Sequence, residues 1–279
     1  MKMNLRTKIV IMLIILITLP MLVMGYISTN LAEEKMIDPY IQAMIEINKY
    51  TISSLENVLD GNEKALLTFS TSDNLRNFID NLETVDKMKS NLSSYREVNN
   101  GVLNVYMGAS DKRMFLEPQA DLPADYDPTS RAWYTDAVAT DKVIWTDPYI
   151  DAGTGQTVVT AAVKVENSDI GTFPGVVGID LSLSYFSDLV SQIKLGETSE
   201  AYIIASDGMI FAHPNPEMLG KNIKDIGFTD ETLNTYFETG SGSIDYTDEA
   251  TKDDRFIVYE KFSKANWVLV NSVSYSKIT

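Results

Sequence analysis

Four side chains suited to polar recognition fall within nine residues of one another: Tyr126, Arg131, Trp133 and Tyr134. Two more, Tyr149 and Asp180, follow at or near segments that read as strands of one sheet. An arginine guanidinium is a planar fork of donors that fits a carboxylate. Tyrosine and tryptophan add an O–H or N–H donor on a rigid ring. A carboxylate, helped by a tyrosine ring face or oxygen, suits an ammonium. The set therefore holds what a pocket needs to grip a molecule with a carboxylate and an ammonium on one carbon. Blander readings stand beside it. Arg131 could pair with Asp127 or Asp136 at the surface, and Trp133 and Tyr134 could be core aromatics capping a sheet. Asp180 is the hardest to explain that way. It lies inside the apolar run 176–181, where a carboxylate is costly unless something pairs with it.

The rest of the composition narrows the chemistry. The 279 residues carry 23 Lys+Arg against 39 Asp+Glu, a formal net charge of −16. Nucleic-acid binding needs a basic surface and is not expected. There is no Cys and one His, His213, which removes disulfides, thiol nucleophiles, HExxH sites and Cys- or multi-His-ligated zinc. No nucleophile elbow, P-loop or serine triad is present, and the acidic run 245–249 with Asp253 and Asp254 matches no EF-hand spacing. That acidic stretch reads as a solvated loop. No catalytic residue, metal or cofactor is expected.

The elements that must position the set begin with an apolar run, residues 9–24, preceded by Lys2, Arg6 and Lys8 and extended by Gly25, Tyr26 and Ile27. It reaches the ~20 residues that a bilayer core requires. It exceeds the usual ~7–15-residue core of a signal peptide, and no small-x-small cleavage site follows. An uncleaved anchor at 9–28 is therefore expected, with residues 1–8 cytoplasmic and the remainder outside the cytoplasm, at the cell membrane. From 30 to 70, Ile41, Ile45, Ile52, Leu55, Leu59, Leu66 and Phe69 recur at helical spacing, with Pro39 a possible point of restart. A second helical segment, 73–98, carries Leu75, Phe78, Ile79, Leu82, Val85 and Met88 on one side. The period then changes to that of strands. Runs at 102–107 and 112–117 form a hairpin, a proline-bearing loop leads to a short helix at 131–140, and strands follow at 143–145, 149–151, 156–166 and 175–181. After a helix at 183–195 the cycle repeats in reduced form, with strands at 201–205, 209–212, 242–247, 254–262 and 267–273 and a helix at 229–237. This is a duplicated α+β unit. The expected division is a stalk helix and second helix at 29–100, a membrane-distal unit at 101–195 and a membrane-proximal unit at 196–279.

Four stretches carry a family resemblance: Tyr126-Asp-Pro-Thr-Ser-Arg131-Ala-Trp133-Tyr134, Trp145-Thr-Asp-Pro-Tyr149, Gly175-Val-Val-Gly178-Ile-Asp180, and Gly196 through Asp207-Gly208 to His213-Pro-Asn-Pro216. In order and spacing the chain resembles the double-Cache sensor domain of prokaryotic chemoreceptors and sensor kinases, in its amino-acid-binding subgroup. The resemblance implies an α+β fold in which a long N-terminal helix is followed by two PAS-like (Cache) modules, each an antiparallel sheet flanked by helices. It implies an extracytoplasmic sensor for free L-amino acids, serving chemotaxis and working as a homodimer. It also assigns roles: Tyr126, Arg131 and Trp133 to the ligand carboxylate, and Tyr134, Tyr149 and Asp180 to its amino group. Ala132 departs from the Pro that the family often has there, a backbone position. The family usually continues into a second membrane helix and cytoplasmic parts, so the chain reads as a fragment holding the sensor. Alternatives are the same fold binding amines or small carboxylates, or serving a histidine kinase or cyclic-dinucleotide enzyme. Selectivity walls are expected from 106–115 and 147–155. In the second module Tyr202, Asp207, His213 and Asp245 could line a pocket, but without an Arg-x-Trp-Tyr segment that module is expected to transmit or brace.

Overall fold

In the computed structural model, residues 5–78, 82–167, 171–193, 199–247 and 252–277 are described. The chain opens with α1 (Leu5–Thr71), 67 residues of unbroken helix and about 100 Å long at 1.5 Å per residue. It passes through Pro20 and Pro39, so the chain does not restart at Pro39. Each proline removes one i→i−4 bond, which a helix of this length absorbs. Residues 11–24 of α1 are exposed, and Ile11, Leu16, Leu22 and Met24 stand among the large apolar groups there. Among the described residues no helix is long and apolar enough to cross a membrane. The expected second helix is α2 (Asp73–Arg76) and α3 (Leu82–Val98). The side chains of Ile79 and Leu82, placed on its apolar side, lie outside the described residues.

The buried stripe of α1 is Met44, Asn48, Ile52, Leu55, Leu59, Asn62, Leu66 and Ser70, at spacings of three and four. Of these, Ile52, Leu55, Leu59 and Leu66 are the positions that the apolar pattern marks. Asn48, Asn62 and Ser70 lie on the same face, and Ile41, Ile45 and Phe69 only flank it. Asn62 is satisfied there, donating to the Val58 carbonyl at 2.8 Å and accepting from the Tyr95 hydroxyl at 3.1 Å.

Among the described residues the strands make two antiparallel sheets. The first contains β1 (Val102–Ala109), β2 (Met114–Glu117), β3 (Ile144–Trp145), β4 (Tyr149–Ile150), β5 (Thr157–Asn167) and β6 (Thr172–Ser182). Its order is β2-β1-β6-β5-β3, with β4 also on β5. Between β2 and β3 lies α4 (Ala132–Val138), and α5 (Leu183–Ser191) follows β6. The second sheet contains β7 (Glu200–Ile204), β8 (Ile210–Ala212), β9 (Ser241–Thr247), β10 (Asp254–Lys261) and β11 (Val268–Ser274), in the order β8-β7-β11-β10-β9, with α6 (Asp230–Thr239) ahead of β9. The orders superimpose as β1 on β7, β2 on β8, β6 on β11 and β5 on β10. The duplication inferred from the element pattern is thus a duplication of topology. Both sheets lay one face toward α1. Leu55, Leu59 and Leu66 join Val105, Val159, Ile179, Phe186, Phe211 and Trp267 in one continuous core. The opposite faces carry separate clusters, around Trp133 on the first sheet and Tyr236 on the second.

Candidate functional site

The site lies on the first sheet, on the face turned away from α1. Asp180 sits mid-strand on β6, directly across from Asn104 of β1 and Thr160 of β5. One row across three strands therefore puts three polar side chains side by side. Asp180 is 1% exposed. Its Oδ1 accepts from the Tyr106 hydroxyl at 2.8 Å and the Thr160 hydroxyl at 2.6 Å, and its Oδ2 accepts from Asn104 Nδ2 at 3.0 Å. Tyr149 Oη lies 2.7 Å from Thr160 Oγ1. Thr160 spends its only proton on Asp180, so Tyr149 is the donor, and a relay runs from Tyr149 through Thr160 to the carboxylate. Burial raises the Asp180 pKa to about 6, against the lowering effect of its three donors. The group is still mostly ionised at neutral pH: a buried anion held by neutral donors. Burial and the Asp180 charge push the Tyr106 and Tyr149 phenols well up.

A second acid adjoins it. Asp151 Oδ2 accepts from the Thr154 amide and hydroxyl, both at 2.7 Å, and receives Asn104 Nδ2 at 3.4 Å. The Asn104 amide thus points its N–H groups at two carboxylates. This fixes its orientation, and its Oδ1 is buried without a hydrogen-bond partner among the described residues. An orphaned carbonyl oxygen thus lies beside two carboxylates that have no ion pair among the described residues, and an ammonium group supplies both a positive charge and three donors.

The other end of the set comes from the loop before α4. Asp127 accepts from the Thr129 amide at 2.9 Å and its hydroxyl at 2.6 Å, Pro128 opens a 3₁₀ turn, and Arg131 then stands in extended backbone at the N-cap of α4. The Asp-Pro-Thr-Ser sequence is built for such a turn. Asp127 pairs with Lys112 at 2.8 Å. Among the described residues Arg131 has no ion pair, so surface pairing with Asp127 or Asp136 does not account for it. Its guanidinium lies over the Tyr126 ring, 5.6 Å from the centroid. Burial raises the Tyr126 phenol. Arg131 and the nearby Trp133 indole pull it down, and Asp180 and Asp151 push it up. Tyr126 therefore feels the guanidinium and both acids at once.

Trp133 is buried, edge-on to Tyr106 at 4.9 Å. Two glycines allow this layer to sit flat on the sheet. A Cβ at Gly178, opposite Tyr106, would lie 2.5 Å from that ring, and one at Gly108 would lie 2.6 Å from the Trp133 indole. Tyr134 belongs to the same cluster, at its Phe173 side. It packs on Trp133 and Phe173, and the acids acting on its phenol are Asp111 and Asp127.

The six expected residues thus gather around one face, either in contact or through electrostatic reach, with Tyr134 joined to the others through the Trp133 ring. Asn104, Tyr106, Asp151 and Thr160 complete the group. Tyr106 and Asp151 fall within the two segments expected to supply pocket walls. Asn104 and Thr160 had no sequence signal beyond being polar in apolar strands. In the second module Tyr202 and His213 line a cavity, whereas Asp207 caps the β7–β8 turn by accepting from the Met209 amide at 2.9 Å and Asp245 accepts from the Tyr275 hydroxyl at 2.6 Å. His213 also holds its own loop, its Nδ1 accepting from the Asn215 amide at 2.9 Å.

Solved structures share this fold. The ligand-binding domain of the Pseudomonas aeruginosa amino acid chemoreceptor PctB, in complex with L-Arg, is similar with a TM-score of 0.66 at 24% identity, covering 85% of this chain and 95% of that one. The ligand-binding domain of the Pseudomonas fluorescens chemoreceptor CtaA, in complex with L-isoleucine, gives a TM-score of 0.69 at 21% identity over 88% and 97%. In sequence, the methyl-accepting chemotaxis protein McpC of Bacillus subtilis is 35% identical over 167 residues, 60% of this chain and 23% of the relative. McpB of the same organism is 24% identical over 278 residues, 99% of this chain and 40% of the relative. The chain thus spans about a quarter to two fifths of the length of these receptors. The double-Cache model, described as Cache domain, matches residues 32–279. With the paired sheets and the long helix in place, the chain belongs to the Cache domain family.

Proposed function

We propose that this chain is the extracytoplasmic sensor region of a membrane-anchored chemotaxis receptor and that it binds a free L-amino acid on the outer face of its first sheet. The observation that carries the reading is the buried Asp180 carboxylate, ionised, held by neutral donors alone, and adjoined by the orphaned Asn104 carbonyl and by Asp151. A ligand ammonium would supply the missing positive charge and donors. Arg131, with Tyr126 and Trp133, would receive the ligand carboxylate, and Tyr149 would join Asp180 at the amino end. Tyr134, which packs on Trp133 and Phe173, would join them there, as the resemblance implies. The similar structures support the ligand class, since the PctB ligand-binding domain is in complex with L-Arg in one and with L-Gln in another.

Residues 9–28 would anchor the chain in the bilayer, with the cationic N-terminus inside and the two modules outside. The stalk and second helix would occupy 29–100, the distal module 101–195 and the proximal module 196–279, and the receptor would act as a homodimer. Ligand closing the Arg131 loop onto the Asp180 strand would bias a two-state equilibrium, and α1, packed against both sheets, would carry it toward the membrane. Calorimetry on the full chain in detergent tests this. An L-amino acid should bind, its decarboxylated and deaminated analogues should bind at least 10-fold more weakly, and Arg131→Ala and Asp180→Ala should each remove binding. Undiminished affinity in both variants would dismiss the site.

A further inference from the structure

The second sheet carries a site of opposite sign at the corresponding place. Its row Glu200–Ser272–Ile257, on β7, β11 and β10, occupies the strand positions that Asn104–Asp180–Thr160 occupy on β1, β6 and β5. Two residues further along the first strand of each row stands a buried tyrosine, Tyr106 in one and Tyr202 in the other. Beside this row is a cavity of about 190 Å³, lined by Glu200, Tyr202, His213, Arg255 and Ser272 and walled by the stacked rings of Phe228 and Tyr246. Where the first row centres on a carboxylate, this one centres on a hydroxyl that accepts from a guanidinium: Arg255 Nε donates to Ser272 Oγ at 2.7 Å.

The donors around the cavity are under-used. Arg255 Nη1 is 3.5 Å from Asp253, a marginal contact, and Nη2 is buried without a hydrogen bond. The nearest acid to Nη2 is Glu200 at 3.9 Å, more than half exposed at the rim. His213 is buried and uses Nδ1 as an acceptor, so its proton sits on Nε2 and is free to donate. The His213 ring lies against Tyr202 at 5.6 Å. The Tyr202 hydroxyl has no hydrogen bond among the described residues. A guanidinium edge, an imidazole N–H and a phenol O–H around one hollow make a receptor for a single carboxylate.

We propose that the second module binds a small aliphatic monocarboxylate in the cavity between Arg255, His213 and Tyr202. The cavity is below the ~300 Å³ at which drug-sized pockets begin, which restricts the ligand to a few non-hydrogen atoms. The apolar walls of Phe228, Ile226 and Met218 suit a short alkyl chain, and Glu200 at the rim repels a second carboxylate. This site is independent of the amino-acid reading of the first module.

The test is calorimetry and thermal melting of the full chain in detergent with sodium propionate, propylamine and succinate as probes. Propionate should bind and raise the melting temperature, whereas the amine and the dicarboxylate should not. Arg255→Gln should weaken propionate by about 10- to 100-fold, the range expected for hydrogen bonds to a charged group, and leave amino-acid binding unchanged. Tyr202→Phe, a smaller change that keeps the ring packing, should weaken propionate by about 3- to 10-fold. Arg131→Ala should leave propionate binding intact. No propionate binding in the wild type would overturn the proposal, as would equal affinity in both second-module variants. Loss of propionate binding in Arg131→Ala would overturn it too, by moving the carboxylate to the first module.

Discussion

Asp180→Asn should change sign in its effect on stability as pH is varied. An unfolded aspartate has a pKa near ~3.9, and in the folded protein burial raises it to about 6. Below the lower value both states are protonated. Between the two, the folded state holds a proton that the unfolded state has lost. Above the upper value both are ionised, and the folded state bears the full cost of a buried charge. Wild-type stability therefore falls by on the order of 3 kcal/mol between pH 4 and pH 7, two pK units at ~1.4 kcal/mol each. Asparagine carries no charge and removes that cost. Its carbonyl retains the Tyr106 and Thr160 donors, and its amide group can donate to the Asn104 carbonyl once that side chain turns, for a net loss of roughly 1 kcal/mol. At pH 8 the variant should thus be about 2 kcal/mol more stable than wild type without ligand, a rise of about 4–8 °C in melting temperature for a chain of this size. At pH 4 it should be no more stable, or less. The assay is tryptophan fluorescence during heating of the full chain in detergent at both pH values, with Trp133 on the outer face of the first sheet and Trp145 and Trp267 between the modules as probes. A variant shifted equally at pH 4 and pH 8, or destabilised at both, would refute the buried-anion argument.

Gly178→Ala places a methyl group 2.5 Å from the Tyr106 ring, so the ring must leave and take its hydroxyl from Asp180. Melting should reveal a loss of about 1–3 kcal/mol, and titration a drop of at least 10-fold in amino-acid affinity; unchanged affinity would remove Tyr106 from the site. Glu63 of α1 accepts from Trp145 Nε1 at 2.9 Å and from Lys264 Nζ at 2.7 Å, tying the helix to both modules through one carboxylate. Glu63→Ala should lower stability by about 1–3 kcal/mol and Glu63→Gln by less, since the amide keeps the Trp145 bond; an alanine variant that melts with the wild type would contradict that link.

The element order was legible because each transition is marked locally. The switch from helical to alternating period near Val102, the Asp-Pro turn before Trp133 and the Asp-Gly turn at Gly208, with φ 85°, all act within a few residues. The buried face of α1 was only half legible, for a different reason. Apolar periodicity assumes that a buried position is apolar, and Asn48, Asn62 and Ser70 break that assumption. Asn62 is there because Tyr95, 33 residues away, needs an acceptor. Asn48, and Asn271 of β11, keep amides without partners among the described residues, in the helix-facing layer of the second sheet. No local rule places them.

The site divides the same way. Tyr126, Arg131 and Trp133 could be read together because one turn and the start of one helix hold them. Asp180 could be read alone because a carboxylate in an apolar strand demands an explanation. What gives Asp180 its properties is a relation across strands: Asn104 and Thr160 are its neighbours by register, 76 and 20 residues away. A row in a sheet has no counterpart in one dimension until the pairing is known. Tyr202 and His213 could be named as lining a second-module pocket, but the same blindness hid the cation beside them. Arg255 has no aromatic motif beside it, and it becomes interesting only when β10 and β11 lay it on Ser272 and the preceding loop brings His213 against Tyr202. Absence of the Arg-x-Trp-Tyr segment argues that the second module does not hold a zwitterion in the manner of the first. It does not argue for an empty module, because inverting the charge at the centre of the row removes the need for that segment. A fixed guanidinium takes the place of the fixed carboxylate, and the ligand class follows from the sign.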